Sequence, residues 1–193
     1  MAAQTAQPMM KATPGHQAHL DRVLSRLPGS GEAQLFILSG ARAAGKTSWC
    51  QLLASQAAER GHAASGLLSP GILEEGKKTG IALLDLASGE SRRLATRRPL
   101  SPGHPESSRW LFDQAVFDWG NRVLAALKTC KLLILDELGP MELRHGGGLS
   151  AGLKLLSARR YAVACVVVRP SLLPDAQARW PWAELIHLDR VEP

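Results

Sequence analysis

Residues 34–61 read QLFILSGARAAGKTSWCQLLASQAAERG, and the order of elements within them decides the fold. Gln34, Leu35, Phe36, Ile37, Leu38 and Ser39 form a compact apolar run of the kind carried by a strand buried on both faces. Gly40-Ala41-Arg42-Ala43-Ala44-Gly45-Lys46-Thr47 then satisfies G-x-x-x-x-G-K-[ST]. Trp49, Leu52, Leu53, Gln56 and Ala57 continue at helical spacing up to Arg60, and Gly61 is placed to end that helix. Strand, glycine-bounded loop and helix, in that order, are the context this motif requires.

The spacing has a physical basis. Successive backbone N–H groups must curl around a phosphate, and side chains at the tightest points would obstruct them; Gly40 and Gly45 remove that obstruction. The helix that follows offers its unpaired N-terminal N–H groups and the positive end of its dipole to the same anion. Lys46 supplies a mobile cation for β- and γ-phosphates, and the Thr47 hydroxyl is a hard oxygen ligand suited to Mg²⁺. The expected phosphate-binding set is therefore Gly40, Ala41, Arg42, Ala43, Ala44, Gly45, Lys46, Thr47 and Ser48, with the Arg42 side chain directed to solvent.

A second element is Leu132-Leu133-Ile134-Leu135-Asp136-Glu137. A carboxylate at the C-terminal end of a buried strand stands at the edge where ligands of α/β sheets bind. Asp136 is thus placed to hold magnesium through water, with Thr47 as its partner on the metal. Glu137 follows directly. On an extended backbone it would point to the opposite face, where it could address a water in line with a γ-phosphate as a general base. The alternative role for Glu137 is an ion pair with a nearby arginine.

The rest of the chain fits around these two segments. Residues 1–15 lack any period and carry Pro8 and Pro14, which suggests a flexible tail. Leu20, Val23, Leu24 and Leu27 recur at helical spacing before the break at Pro28, Gly29, Ser30 and Gly31. Residues 63–68 suit a second parallel strand, and residues 69–80 are turn-rich. Residues 81–86 and 92–96 flank Ser88-Gly89-Glu90 as a hairpin would. Pro99, Pro102, Gly103 and Pro105 predict a loop, and residues 110–127 an amphipathic helix through Val116, Trp119, Val123 and Leu127. Further strands are expected at 131–135, 162–168 and 184–188, with helices at 149–160 and 171–179. Strands alternating with helices predict an α/β domain with a mostly parallel sheet and an inserted β-hairpin. Residues 31–193 would form that single domain, preceded by a tail and a short helix over residues 1–30.

Composition narrows the function classes. A chain of 193 residues, 45% hydrophobic and 21% charged, is in the range of ordinary globular proteins. The net charge of +6 suits acidic partners. Its arginines are scattered in pairs (Arg92 and Arg93, Arg97 and Arg98, Arg159 and Arg160), so no basic arm for nucleic acid is expected. Cys50, Cys130 and Cys165 lie far apart in apolar segments and read as packing residues. No apolar run approaches a membrane span and no signal-peptide pattern opens the chain, so the expected setting is the cytoplasm, with no membrane partner.

At Asp136-Glu137-Leu138-Gly139-Pro140-Met141-Glu142-Leu143 the sequence resembles the THEP1-type nucleoside-triphosphatases, whose Walker B strand runs into a D-E-[IL]-G-x-[ML]-E-L signature. Ser65-Gly66-Leu67-Leu68-Ser69-Pro70, the later Lys77-Lys78-Thr79-Gly80-Ile81 and the hairpin around Ser88-Gly89-Glu90 are similar to the family as well. The likeness covers residues 35–170. It departs at Pro140, where many members carry Lys, and at Ala41–Ala44, where a Val before the second glycine is usual. The resemblance implies a RecA-like P-loop NTPase, a three-layer sandwich that hydrolyses ATP, GTP and other nucleoside triphosphates with Mg²⁺, slowly and with loose base selectivity. Lys46, Thr47, Asp136 and Glu137 fall on the family's positions, with Lys46 and Glu137 as the catalytic pair.

Two other readings share the same loop. A nucleotide or small-molecule kinase would use residues 92–98 as a basic lid, and a nucleotide-dependent switch would await a protein partner. An activating arginine is not identified by the sequence; Arg92, Arg93, Arg97, Arg98 and Arg169 are the candidates.

Overall fold

β1 (Gln34–Gly40) shows why the chain forms layers. Its Leu35 and Ile37 are buried in one apolar cluster, and its Phe36 and Leu38 in another, because successive side chains leave opposite faces of a strand. The computed structural model describes residues 13–27, 29, 31–99 and 110–189. The expected tail up to residue 12, Pro28 and Ser30 of the expected break, and Pro102, Gly103 and Pro105 of the expected loop lie outside the described residues.

The parallel core consists of five strands in the order β2 (Ala64–Leu68), β7 (Cys130–Leu138), β8 (Tyr161–Val168), β1 and β9 (Glu184–Leu188). Leu133, Leu135, Ala164 and Val166 face the first cluster, and Leu132, Ile134, Val163, Cys165 and Val167 the second. A sheet that is apolar on both faces must be covered on both. α1 (Pro14–Leu24) and α2 (Lys46–Glu59) close one side through Leu20, Val23, Trp49 and Leu53. α3 (Gln114–Ala126) and, beyond the short α4 (Pro140–Leu143), α5 (Ser150–Ala158) close the other with Phe117, Trp119, Leu153 and Leu156; α6 (Leu173–Arg179) adds Ala176. This is the expected three-layer α/β sandwich, with an open sheet.

Beyond β2 the sheet continues antiparallel. β4 (Lys77–Asp85) pairs with β2, β5 (Ser91–Arg97) with β4, and β6 (Trp110–Phe112) with β5, while β3 (Gly71–Glu74) takes the free stretch of β4. The β4–β5 hairpin is the one expected from the Ser88-Gly89-Glu90 turn. The residues expected only to turn, 69–80, instead hold β3 and the start of β4. Glu75 (φ 50°) and Gly76 (φ 74°) link the two as a tight hairpin, a geometry that needs two left-handed residues and matches strand twist. Trp110, expected to open a helix, lies in β6, and α3 starts after Asp113, whose carboxylate caps it by accepting from the Ala115 amide at 2.9 Å.

The N-terminal helix starts at Pro14, six residues ahead of Leu20, the first residue of the periodic set, with Thr13 as its cap, so Pro14 and Gly15 of the expected tail belong to the helix. Leu20, Val23 and Leu27 are fully buried, and Trp49 Nε1 of α2 donates to the His16 carbonyl at 3.1 Å. α1 therefore braces the helix that follows the phosphate loop. Leu20→Ala should cost about 2–5 kcal/mol of unfolding free energy, as buried leucine truncations do, measured by urea denaturation. A cost below about 0.5 kcal/mol would mean that α1 is only loosely applied.

Candidate active site

β8 lies between β1, which leads into loop 40–47, and β7, which ends on Asp136 and Glu137, so the C-terminal ends of all three strands open on one edge. In the loop, Gly40 has φ 147° and Gly45 φ 80°. A Cβ on Gly40 would overlap the Leu188 carbonyl oxygen of β9, so only glycine fits there. Gly45 is the N-cap of α2 and no side chain caps that helix, which leaves its first N–H groups for an anion. Ala41, Arg42 and Ala43 are exposed and Ala44 is buried. Lys46 Nζ donates to the carbonyls of Gly40 (2.9 Å) and Ala41 (2.7 Å), so its ammonium already sits across the loop mouth. Burial pulls the Lys46 pKa below its ordinary value, and the nearby Glu137 and Asp136 carboxylates oppose that pull.

The acidic pair is set by an irregularity in β7. Leu135 pairs with Val166 and Leu138 with Val168, so Asp136 and Glu137 together stand opposite the single residue Val167. One surplus residue is a β-bulge, a device that re-aims side chains beside functional sites. Up to the bulge the two-residue period of Leu132 and Ile134 directs Asp136 to the α2 side. After it Leu138 joins the opposite core. The expectation of an extended backbone at Glu137 is corrected: its φ is 66°, in the left-handed region. Such a conformation in a residue with a Cβ costs about 1–3 kcal/mol and tends to mark functional sites.

Asp136 is 3% exposed. Its Oδ2 accepts from the Ser69 amide at 3.1 Å, and Ser69 Oγ donates back to the Asp136 carbonyl at 3.2 Å. Burial raises its pKa to about 6; hydrogen bonds from the Thr47 side chain and the Ser69 amide work against the rise, Glu137 adds to it, and Lys46 opposes it. The Thr47 side chain therefore lies close enough to act on the Asp136 carboxylate, as a shared metal would require. Among the described residues no three His, Cys, Asp or Glu side chains gather into a cage. One hydroxyl and one carboxylate do suit Mg²⁺, which keeps waters and takes its remaining ligands from substrate phosphates.

Glu137 Oε1 accepts from Arg169 Nε at 2.6 Å, and Arg169 Nη2 reaches the same oxygen. The ion pair weighed as an alternative role for Glu137 is thus present, and its partner is one of the five candidate arginines. The pair is half-exposed and worth about 0–1 kcal/mol. Arg92 pairs with Glu90 and stacks on Trp119, Arg93 pairs with Glu74, and Arg97 donates to the Lys78 carbonyl. Those three are engaged on the antiparallel extension, and Arg98 lies just past the end of β5.

A family model described as NTPase matches residues 35–178. The chain belongs to the THEP1-type nucleoside-triphosphatase family. The nucleoside-triphosphatase THEP1 of Pyrococcus abyssi is 31% identical over 127 residues, 64% of this chain and 69% of that protein. The THEP1 protein of Methanopyrus kandleri is 29% identical over 131 residues, 67% and 71% of the two chains. The fold is also that of a human cancer-related nucleoside triphosphatase (TM-score 0.61, 19% identity, covering 80% of this chain and 88% of the other). The THEP1 structure from Aquifex aeolicus gives a TM-score of 0.55 at 21% identity, covering 81% and 90%.

Two residues of this THEP1-type chain take part in the site without being singled out by sequence reasoning. Ser69 holds Asp136 from β2's end, and its only signal was its place in the family-like stretch 65–70. Glu142, the acid of the signature, is 5% exposed and accepts from the amides of Gly139 and Leu149, each at 2.8 Å. It thereby pins both ends of the glycine-rich loop 144–148. A Cβ on Gly148 (φ 57°) would overlap Glu142 Oε1. The three cysteines are free; Cys50 and Cys165 are buried in the core, as packing residues should be.

The raised pKa of Asp136 has a sign that can be tested. Its folded value is about 6 against an ordinary 3.8, so between those values the folded chain binds the proton more tightly than the unfolded chain does. Stability should therefore fall as pH rises through about 4 to 6, by up to roughly 3 kcal/mol. Asp136→Asn removes this penalty. In metal-free buffer it should be more stable than the parent by about 1–3 kcal/mol at pH 7.5 and equal to it at pH 4, by urea unfolding. Parallel stability profiles for the two proteins would show that the buried charge is not destabilising.

Proposed function

We propose that this chain hydrolyses nucleoside triphosphates to diphosphate and phosphate, with Mg²⁺, slowly and with little selectivity among bases. The observation that carries this reading is the convergence of Lys46, Thr47, Asp136 and Glu137 on one sheet edge, with the Thr47 side chain close enough to act on Asp136 and both carboxylates acting on the Lys46 ammonium. Backbone N–H groups of residues 41–48 would cradle the β- and γ-phosphates. Lys46 would exchange the carbonyls of Gly40 and Ala41 for phosphate oxygens, which are stronger acceptors because they are charged. Thr47 and, through water, Asp136 would hold Mg²⁺, which neutralises phosphate charge. Glu137, partly exposed where Asp136 is buried, would orient the attacking water and take its proton. Every phosphate contact in this scheme comes from backbone or from Lys46, and none addresses a base, which supports broad specificity. The names of the curated relatives support the reaction class.

Phosphate release from ATP, GTP, CTP and UTP with Mg²⁺ and no acceptor tests the reading. Glu137→Gln should lower kcat by about 10²–10⁴-fold while nucleotide affinity is retained, and Lys46→Ala should lose affinity and turnover together. Full activity in Glu137→Gln would remove Glu137 as the base. Release that appears only with an acceptor would point to a kinase. Tight binding of every triphosphate without release would point to a partner-dependent switch.

A further inference from the structure

We propose that Arg169 is a second cation, beside Lys46, that this chain supplies to the γ-phosphate, and that its pairing with Glu137 is a latch which a γ-phosphate opens. The proposal rests on the hydrolytic reading above, in that it gives Glu137 work to do once released.

The position of Arg169 is fixed by its neighbours. It follows directly on β8, the strand between the one that feeds the phosphate loop and the one that carries the acids. On one side Ser39 Oγ, next to Gly40, donates to the Val168 carbonyl at 2.8 Å. On the other side stands Pro170, which holds the preceding residue extended, and Arg169 has φ −67° and ψ 148°. Its carbonyl accepts from the Leu172 amide at 2.9 Å. The backbone is thus tied fore and aft, and the side chain emerges against Glu137. Its charge is felt by Lys46, whose pKa it helps to lower.

The pairing uses one oxygen. Both Nε and Nη2 of Arg169 converge on Glu137 Oε1, which fixes the carboxylate's orientation and leaves Oε2 as the one oxygen open to a water. The side chains are 55% and 33% exposed, so solvent screens the pair and little holds it closed. A guanidinium fork matches a phosphate bidentately through charge-assisted bonds, so a triphosphate beside Lys46 offers Arg169 a stronger anion. The exchange would free Glu137 for water and place positive charge where phosphoryl oxygens gain negative charge. A diphosphate lacks that anion and leaves the latch shut, so release of phosphate resets it.

The test uses Arg169→Ala and Arg169→Lys in the parental chain and in Glu137→Gln. In the parental chain Arg169→Ala should lower kcat by about 10³-fold, with partial recovery on adding guanidinium chloride at low millimolar concentration. Arg169→Lys, which keeps charge without the fork, should fall between the two. In Glu137→Gln, where the latch is already broken, fluorescent ATP and ADP analogues are bound in a stopped-flow instrument before turnover. There Arg169→Ala should reduce the preference for triphosphate over diphosphate at least about 10-fold, through loss of triphosphate affinity. A merely structural ion pair would make Arg169→Ala silent in that background. An unchanged preference, or parental kcat in Arg169→Ala, would overturn the proposal. Full activity of Glu137→Gln would instead count against the base assignment, and the binding ratio would still decide the role of Arg169.

Discussion

The surplus residue in β7 is the constraint on which the catalytic edge depends. Side chains of a strand alternate, so two adjacent acids at its end would face opposite layers and could not share a ligand. Setting Asp136 and Glu137 together against Val167 breaks that rule locally. Asp136 keeps the phase of Ile134 and goes under α2, where the Thr47 side chain can act on it. Glu137 takes a left-handed backbone and turns to the solvent side. The strand then resumes with Leu138 in the other core, so the irregularity is confined to the two residues proposed to hold the metal and activate water.

Environment separates the two carboxylates as firmly as geometry does. Asp136 is buried, bonded by Ser69, and reluctant to ionise; Glu137 is partly exposed and held by a guanidinium. A charge that is expensive to bury is one a divalent cation can stabilise, because binding the metal offsets the desolvation. An exposed carboxylate can change partners at little cost. The loop after them is not left loose: Glu142 spans from Gly139 to Leu149 and closes it from inside.

Where the sequence carried local backbone chemistry, it was informative. Gly40, Gly45 and Lys46 are demanded by the phosphate loop itself, and the apolar runs of β1, β7 and β8 could be read directly, whereas β2 was a weaker candidate and β9 is short, each five residues and partly polar. β3 and β6 were missed because they are short edge strands, four and three residues long, with exposed Leu73, Leu111 and Phe112 that show no buried period. The left-handed Glu137 was invisible, since nothing in a Glu predicts that conformation; only the register against β8 requires it. Ser69 and Glu142 were legible as members of family-like stretches and not as contacts, because their partners lie 67 and 7 residues away. Arg169 stood among five arginines until the strand order put β8 in the middle.

The contact between Gly40 and Leu188 carries a consequence for synthesis of the chain. The first glycine of the phosphate loop rests on the carbonyl of the last strand, and β9 pairs with β1 from Phe36 to Gly40. A ribosome must therefore reach Leu188, 148 residues after Gly40, before the loop gains its supporting wall. Until then the growing polypeptide carries the loop without that wall, so the shape of its first turn depends on a strand made long after it.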